Sequence, residues 1–306
     1  MRVLLLGTAA GGGFPQWNCW CPTCRVARDT PARAHPRSQS SIAVSADGDR
    51  WFLCNASPDV RPQLDRLTAR RSAPPADVVR AVPIEGVMFT DAELDHTLGL
   101  ALLREARRLT VYATEPVEAV LEHDSRILPT TRAFADITVT RLPLGRPIPL
   151  ADRDGRPTPL SVEAFAVPGD PPRFATRDQV GHTVGLLIHD SHTGGTVAFV
   201  PGCGDITADV RSYLTRAGLI LFDGTFWTGD ELQRLAISPS TAQQMGHQPI
   251  SGPDGSLDAL ARFPLARRVY THINNSNPIL IEDSLERRTV VDAGVIVGAD
   301  GAEFMI

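Results

Sequence analysis

Short apolar runs alternate with amphipathic stretches along the whole chain, the rhythm of a layered α/β fold. Arg2–Leu6 reads as an opening strand that stops at Gly7 and Thr8; its apolar length is too short for a signal peptide. Ile42–Val44, Trp51–Leu53, Val87–Phe89, Thr110–Ala113, Ile137–Arg141 and Ser161–Val167 read as further strands. Pro58–Arg70 has helical spacing with proline in its first turn, and Leu98–Arg108 is amphipathic. The second half repeats the rhythm, with strands over Thr183–Ile188, Thr196–Val200, Leu219–Phe222 and Arg268–Thr271. Helices are predicted there over Ala208–Ala217 and Leu257–Ala261. Loops rich in Pro, Arg and Gly (Arg71–Pro75, Leu144–Pro159, Val167–Arg173) interrupt these elements without marking a clean linker. Two βα-rich halves of similar content suit an αββα sandwich, although no sequence repeat is strong enough to claim.

Composition narrows the function classes. The 306 residues suffice for a large core. No apolar run approaches the roughly 18 residues that span a bilayer, so no membrane insertion is expected. A net charge of −5 gives no reason to expect nucleic acid. Five cysteines, an odd number, favour a reducing compartment and thus a cytoplasmic location. All 30 basic residues are arginine, which excludes a lysine nucleophile or Schiff base.

The densest chemistry lies in Phe89–Leu100. Asp91, Glu93, Asp95 and His96 crowd behind the strand that ends at Phe89. Such charge at a strand end is costly unless solvated, paired or bound to a metal. A solvated loop opening a helix is the plain alternative, since acids are favoured at a helix N-terminus. Cys19, Cys21 and Cys24 form a second cluster; cysteines this close pair with each other only under strain and suit one soft ion, Zn²⁺. Cys54 and Cys203 lie in apolar or Gly-rich settings and read as buried small hydrophobes. The run Gly7–Gly13 invites a phosphate-loop reading, but Phe14, Pro15 and Gln16 follow where a helix should begin and no Gly-Lys-Ser/Thr is present. It reads instead as a glycine loop leading into the cysteines.

Later segments add candidates. Asp205 follows the strand that ends at Val200, with an Asx turn as the alternative. Asp223 ends another strand and is expected to line the same pocket. His272 directly follows the strand Arg268–Thr271, and His247 lies in a Gly-flanked loop. His182 suits a core position or a metal site equally, and His35, His123, His189 and His192 sit among polar residues at the surface.

Asp91-x-Glu93-x-Asp95-His96, between a strand and a helix, resembles the metallo-β-lactamase signature H-x-H-x-D-H with its first two histidines replaced by carboxylates. Together with the Cys-x-Cys-x-x-Cys segment, Asn55-Ala56-Ser57-Pro58-Asp59, Phe222-Asp223-Gly224-Thr225-Phe226-Trp227 and Tyr270-Thr271-His272-Ile273-Asn274-Asn275, it is similar to the branch of that superfamily serving pyrroloquinoline quinone (PQQ) synthesis. The resemblance implies one αββα metallo-hydrolase domain over residues 1–306, with an N-terminal zinc loop. It implies active-site metal ligands Asp95, His96 and His272, with Asp91, Glu93 and Asp205 supporting them or holding a second ion. His247, Asp223 and Glu93 take catalytic roles in positioning and proton transfer. Related enzymes close the cysteine site with a histidine three residues after the last active-site histidine. That place is Asn275 here, so His35 or water is an alternative fourth ligand.

Carboxylates in place of two histidines harden the metal position and weaken it for zinc. Two imidazoles and one carboxylate match the donor set of non-haem Fe(II) oxygenases. The expectation is iron- and O₂-dependent hydroxylation of the tyrosine ring in a crosslinked Glu–Tyr precursor, a small molecule or short peptide. Zn²⁺ or Mn²⁺ are the alternative metals. A zinc hydrolase acting on a precursor peptide or ester, or a non-catalytic carrier of PQQ to the periplasm, are the rival readings, and a homodimer is left open.

Overall fold

The computed structural model describes residues 1–306. Its strands are β1 (Arg2–Gly7), β2 (Ser41–Ser45), β3 (Trp51–Cys54), β4 (Ile84–Met88), β5 (Arg108–Ala113), β6 (Asp136–Arg141) and β7 (Ile148–Ala151). They continue with β8 (Pro157–Ala166), β9 (Val184–Asp190), β10 (Thr196–Val200), β11 (Leu219–Asp223), β12 (Arg267–Thr271), β13 (Ile296–Val297) and β14 (Glu303–Met305). They form two sheets of seven, ordered β14-β1-β2-β3-β4-β5-β6 and β13-β12-β11-β10-β9-β8-β7. Each sheet is antiparallel at one end and parallel from β3 to β6 or from β10 to β13.

The central strands are apolar on both faces, as strands covered on both sides must be. In β1, Val3 and Leu5 point between the sheets, whereas Leu4 and Leu6 point outward to the helices. In β10 and β11, Val197, Phe199, Leu219 and Leu221 face the other sheet, and Ala198, Val200, Ile220 and Phe222 face outward. Three apolar layers result, one between the sheets and one beneath the helices on each outer face. This is the αββα sandwich. Cys54 lies in the middle layer and Cys203 in an outer one, both free thiols and both buried.

Three expectations need correction. The segment Leu144–Pro159 contains β7 and the start of β8 rather than loop alone. Pro149 hid that strand, but β7 is the edge of its sheet, where a missing N–H is tolerated. The helix expected from Pro58 begins at Val60, after a turn. Leu98–Arg108 is not one helix: a short turn over Gly99–Leu102 is followed by a 3₁₀ turn, Arg104–Ala106, and Leu98 and Leu102 are exposed. β13, β14 and the helices Pro22–Asp29 and Leu285–Asp292 were not anticipated.

Candidate functional site

The loops that follow β4, β10, β11 and β12 come together at one edge of the sandwich. Ligands collect beyond the carboxyl ends of parallel strands, where the chain must leave the sheet. The cleft there encloses about 700 Å³, and its walls include Asp91, Glu93, Asp95, His96, His247 and His272.

After β4 the chain docks on the segment after β3. Ala56 N–H donates to the His96 carbonyl and Gly99 N–H to the Ala56 carbonyl, at 2.7 and 2.9 Å. A Cβ on Gly99 would lie 2.1 Å from the Ser57 carbonyl oxygen, so only glycine permits this approach. Asp91 is buried and turned away from the metal position. Its carboxylate oxygens lie 2.8 and 2.7 Å from His96 Nδ1 and also accept the Thr90 hydroxyl at 2.7 Å and the Glu93 N–H at 2.9 Å. Asn55 Nδ2 in turn donates to Thr90 at 2.9 Å. Asp91 thereby fixes the His96 proton on Nδ1 and presents Nε2, which is buried without any hydrogen-bond partner.

His272 arrives from β12. Its φ of 54° is left-handed, a strained setting for a residue with a Cβ. Backbone hydrogen bonds from Ile273 N–H to the Thr8 carbonyl and from Asn274 N–H to the Thr225 carbonyl, at 2.8 and 3.1 Å, hold it there. The Thr225 hydroxyl donates to Asp223 at 2.6 Å and is 2.9 Å from His272 Nδ1, so it accepts the Nδ1 proton and leaves Nε2 free. That Nε2 lies 3.4 Å from Asp95 Oδ2, and His96 Nε2 lies 3.8 Å from the same oxygen. Ligand atoms of Asp95, His96 and His272 all fall within 4.8 Å of one another. One carboxylate oxygen and two imidazole lone pairs, one of them otherwise orphaned, fit a divalent metal. Burial alone would depress His96, but the charges of Asp91 and Asp95 and the Asp91 hydrogen bond lift it to about 9. A metal at Nε2 therefore displaces a proton. The charge of His96 and the contact with His272 outweigh its burial and hold the Asp95 carboxyl low.

A His–Asp pair forms the other wall. Asp223 is fully buried and accepts from His247 Nδ1 at 2.7 Å, Cys203 N–H at 3.0 Å, Thr225 N–H at 3.0 Å and the Thr225 hydroxyl. Asp223, expected to line the pocket, instead lies beneath it with its lone pairs occupied; it orients His247, whose Nε2 is left for the cleft. Burial opposes the His247 proton, but Asp223 raises it above the ordinary value. Glu93 stands exposed at the rim, where partial loss of water, then the charges of Asp91 and Asp95, push it up to about 7. Asp205 is outside this arrangement. Cys203 turns inward onto Asp223, and Asp205, two residues on, is exposed and does not line the cleft.

The cysteines make a separate cluster. The sulfurs of Cys19, Cys21 and Cys24 lie within 4.8 Å of one another, on the turn that opens helix Pro22–Asp29. Arg28 ties this turn down through the Gln16 and Cys19 carbonyls, each at 2.6 Å. Asn275 Nδ2 is 3.2 Å from Cys24 Sγ and 3.7 Å from Cys21 Sγ, so the fourth side of the cluster is an amide. His35 is exposed and elsewhere, which removes it as the alternative. Hydrogen bonding from Cys24, against the cost of burial, brings the Cys21 thiol down to about 5, and the same contact pushes Cys24 up. Three sulfur donors converging on one point suit Zn²⁺.

Thr90 and Thr225 were missed in the sequence, because a hydroxyl shows no pattern until its neighbours in space are known. His182 is buried with both ring nitrogens unpartnered and does not line the cleft. His35, His123, His189 and His192 are exposed, as expected.

Known proteins share this architecture. A family model described as a beta-lactamase superfamily domain matches residues 50–273. A relative from Gluconacetobacter diazotrophicus, named coenzyme PQQ synthesis protein B, is 42% identical over 98% of this chain and 97% of its own. One of the same name from Methylococcus capsulatus is 40% identical over 100% of both. The crystal structure of Zn²⁺-bound PqqB from Methylobacterium extorquens is 38% identical, covers 100% of both chains and superposes with a TM-score of 0.88. A diphosphatase of the PhnP family, at 18% identity and a TM-score of 0.69, shares the fold. On full-length identity and matching architecture, this chain belongs to the coenzyme PQQ synthesis protein B family of the metallo-β-lactamase superfamily.

Proposed function

We propose that this protein serves PQQ biosynthesis as a metal-dependent enzyme that hydroxylates the tyrosine ring of a crosslinked Glu–Tyr precursor, with iron held by Asp95, His96 and His272. The observation that carries the reading is the donor set: two imidazole Nε2 atoms and one carboxylate oxygen facing one point of a cleft. Held by this set, Fe(II) would supply O₂ chemistry that redox-inert zinc does not. The PQQ synthesis name of relatives about 40% identical across their length supports the pathway.

The chain's own residues do the rest. Asp91 and Thr225 hold the two imidazoles in their metal-facing tautomers. His247, its Nδ1 proton on Asp223, exchanges a proton with the substrate at Nε2. Glu93, poised near 7, relays protons at the rim. Gly11 closes one wall; a Cβ there would come within 3.2 Å of Asp95 Oδ2. No helix is long and apolar enough to cross a membrane.

A zinc hydrolase is the second reading, favoured by the Zn²⁺-bound relative. Anaerobic Fe(II) reconstitution followed by an O₂ pulse with a tyrosine- or DOPA-containing substrate separates the two. The expected result is substrate-dependent O₂ uptake that His96→Ala and His272→Ala abolish together with iron binding, while the cysteine-bound zinc remains. Turnover of the zinc-loaded protein without O₂ would establish the hydrolase. Tight PQQ binding with no O₂ uptake at any metal loading would leave a carrier.

A further inference from the structure

Four carboxylates, Asp91, Glu93, Asp95 and Asp170, border the cleft, and one basic side chain other than histidine, Arg173, faces them. Arg173 forms no ion pair within 4.0 Å and no hydrogen bond within the protein, although a guanidinium carries five donors. Its charge reaches Glu93 without pairing to it.

The backbone that presents it is fixed on both sides. The Pro168 carbonyl accepts from Gly204 N–H at 2.7 Å, and Pro171 and Pro172 restrict the approach to Arg173. Beyond it, Ala175 N–H donates to the Pro172 carbonyl at 2.8 Å, and Phe174 packs against the outer layer of the first sheet. Thr176 then bonds Asp124 through its N–H and hydroxyl, at 3.1 and 2.9 Å. A pinned loop thus carries a free guanidinium at the mouth of an acidic cleft. Cleft carboxylates repel an anionic ligand, so an anion enters only where a cation receives it. Phe226, stacked edge-on to His247 at 5.9 Å, offers an aromatic wall further in.

We propose that Arg173 is the specificity residue that receives a carboxylate of an aromatic substrate, aligning its ring with the metal and His247. The inference rests on the PQQ-biosynthesis reading and narrows the substrate to a carboxylate-bearing aromatic. A guanidinium fork matches a carboxylate with two parallel bonds, which an ammonium does not reproduce.

The test uses the zinc-loaded full-length protein, kept anaerobic, and two probes: PQQ, a tricarboxylate, and its trimethyl ester. Dissociation constants are measured for the wild type, Arg173→Gln, Arg173→Lys and the exposed loop control Arg177→Gln. Arg173→Gln is expected to weaken PQQ binding about tenfold or more and to flatten its salt dependence. Arg173→Lys should recover part of the affinity, Arg177→Gln should match the wild type, and ester binding should be unchanged throughout. Wild-type-like PQQ binding by Arg173→Gln, or equal loss of both probes, overturns the proposal alone. A wild type that binds neither probe overturns the proposal together with the substrate reading beneath it.

Discussion

Thr225 carries more of the site's geometry than any residue of its size. One hydroxyl gives its hydrogen to Asp223 and takes one from His272 Nδ1, so it sets the tautomer of a metal-facing imidazole and helps fix the partner of His247. Thr225→Val keeps the shape and removes the bridge. Active-site metal affinity is expected to fall on the order of 10- to 100-fold, as for other groups that orient metal-bound histidines. Chelator competition on the wild type, Thr225→Val and Thr225→Ser checks this, and Ser should retain the wild-type affinity. A valine variant that holds its metal as tightly as the wild type would mean that the strained His272 backbone alone orients the ring. Asp95, His96 and His272 were legible from residue type and strand-end position. Thr225 was not, because its partner lies 47 residues away and meets it only through the parallel pairing of β11 with β12, where Asp223 sits opposite Thr271.

Between elements, one turn serves both candidate metal sites: His272 faces the cleft and Asn275, three residues on, faces the cysteines. The glycine loop is stitched to the same turn, Ala10 N–H donating to the Ile273 carbonyl at 2.9 Å. Cys21→Ser should therefore lose one zinc equivalent and lower the thermal midpoint while leaving the active-site position loadable, by metal analysis and calorimetry. Unchanged zinc content would remove the cysteines as a zinc site. Glu231 braces this turn from the other side. It is buried and accepts from the Trp227 N–H at 2.7 Å and from the Ser276 hydroxyl. Burial, against these hydrogen bonds, pushes its carboxyl from 4.5 up to about 7. The folded protein therefore holds this proton more tightly than the unfolded chain, and folding loses stability as pH rises from 4.5 to about 7. The loss amounts to up to about 3 kcal/mol and levels off above that window. Denaturant unfolding of the wild type and Glu231→Gln across that range should show the variant gaining relative stability as pH rises. A constant difference would show that Glu231 keeps its ordinary proton affinity in the fold.

For the molecule as a whole, alternation of apolar strands and amphipathic segments was enough to indicate two βα halves and their layering. The period-two burial of β1, β10 and β11 is written locally, residue by residue. Edge elements escaped for the same reason. β7, β13 and β14 are only two to four residues long, β7 carries a proline and β14 a glutamate, and all three exist because a neighbouring strand supplies their hydrogen bonds. Even the pairing of β1 with β14 joins residues about 300 positions apart, which no window of sequence contains. The chain by itself determined the residue types at the strand ends: carboxylates and histidines after β4, β11 and β12, and three thiols near the N-terminus. Ligand chemistry belongs to side chains, and side chains are read directly. Which of those groups face a metal and which stand behind one was decided only in three dimensions. Asp91 turned back onto His96, Asp223 sank beneath His247, and Asp205 faced solvent. Direction depends on how each loop leaves its sheet and which backbone groups it must satisfy on the way, and those partners come from distant parts of the chain.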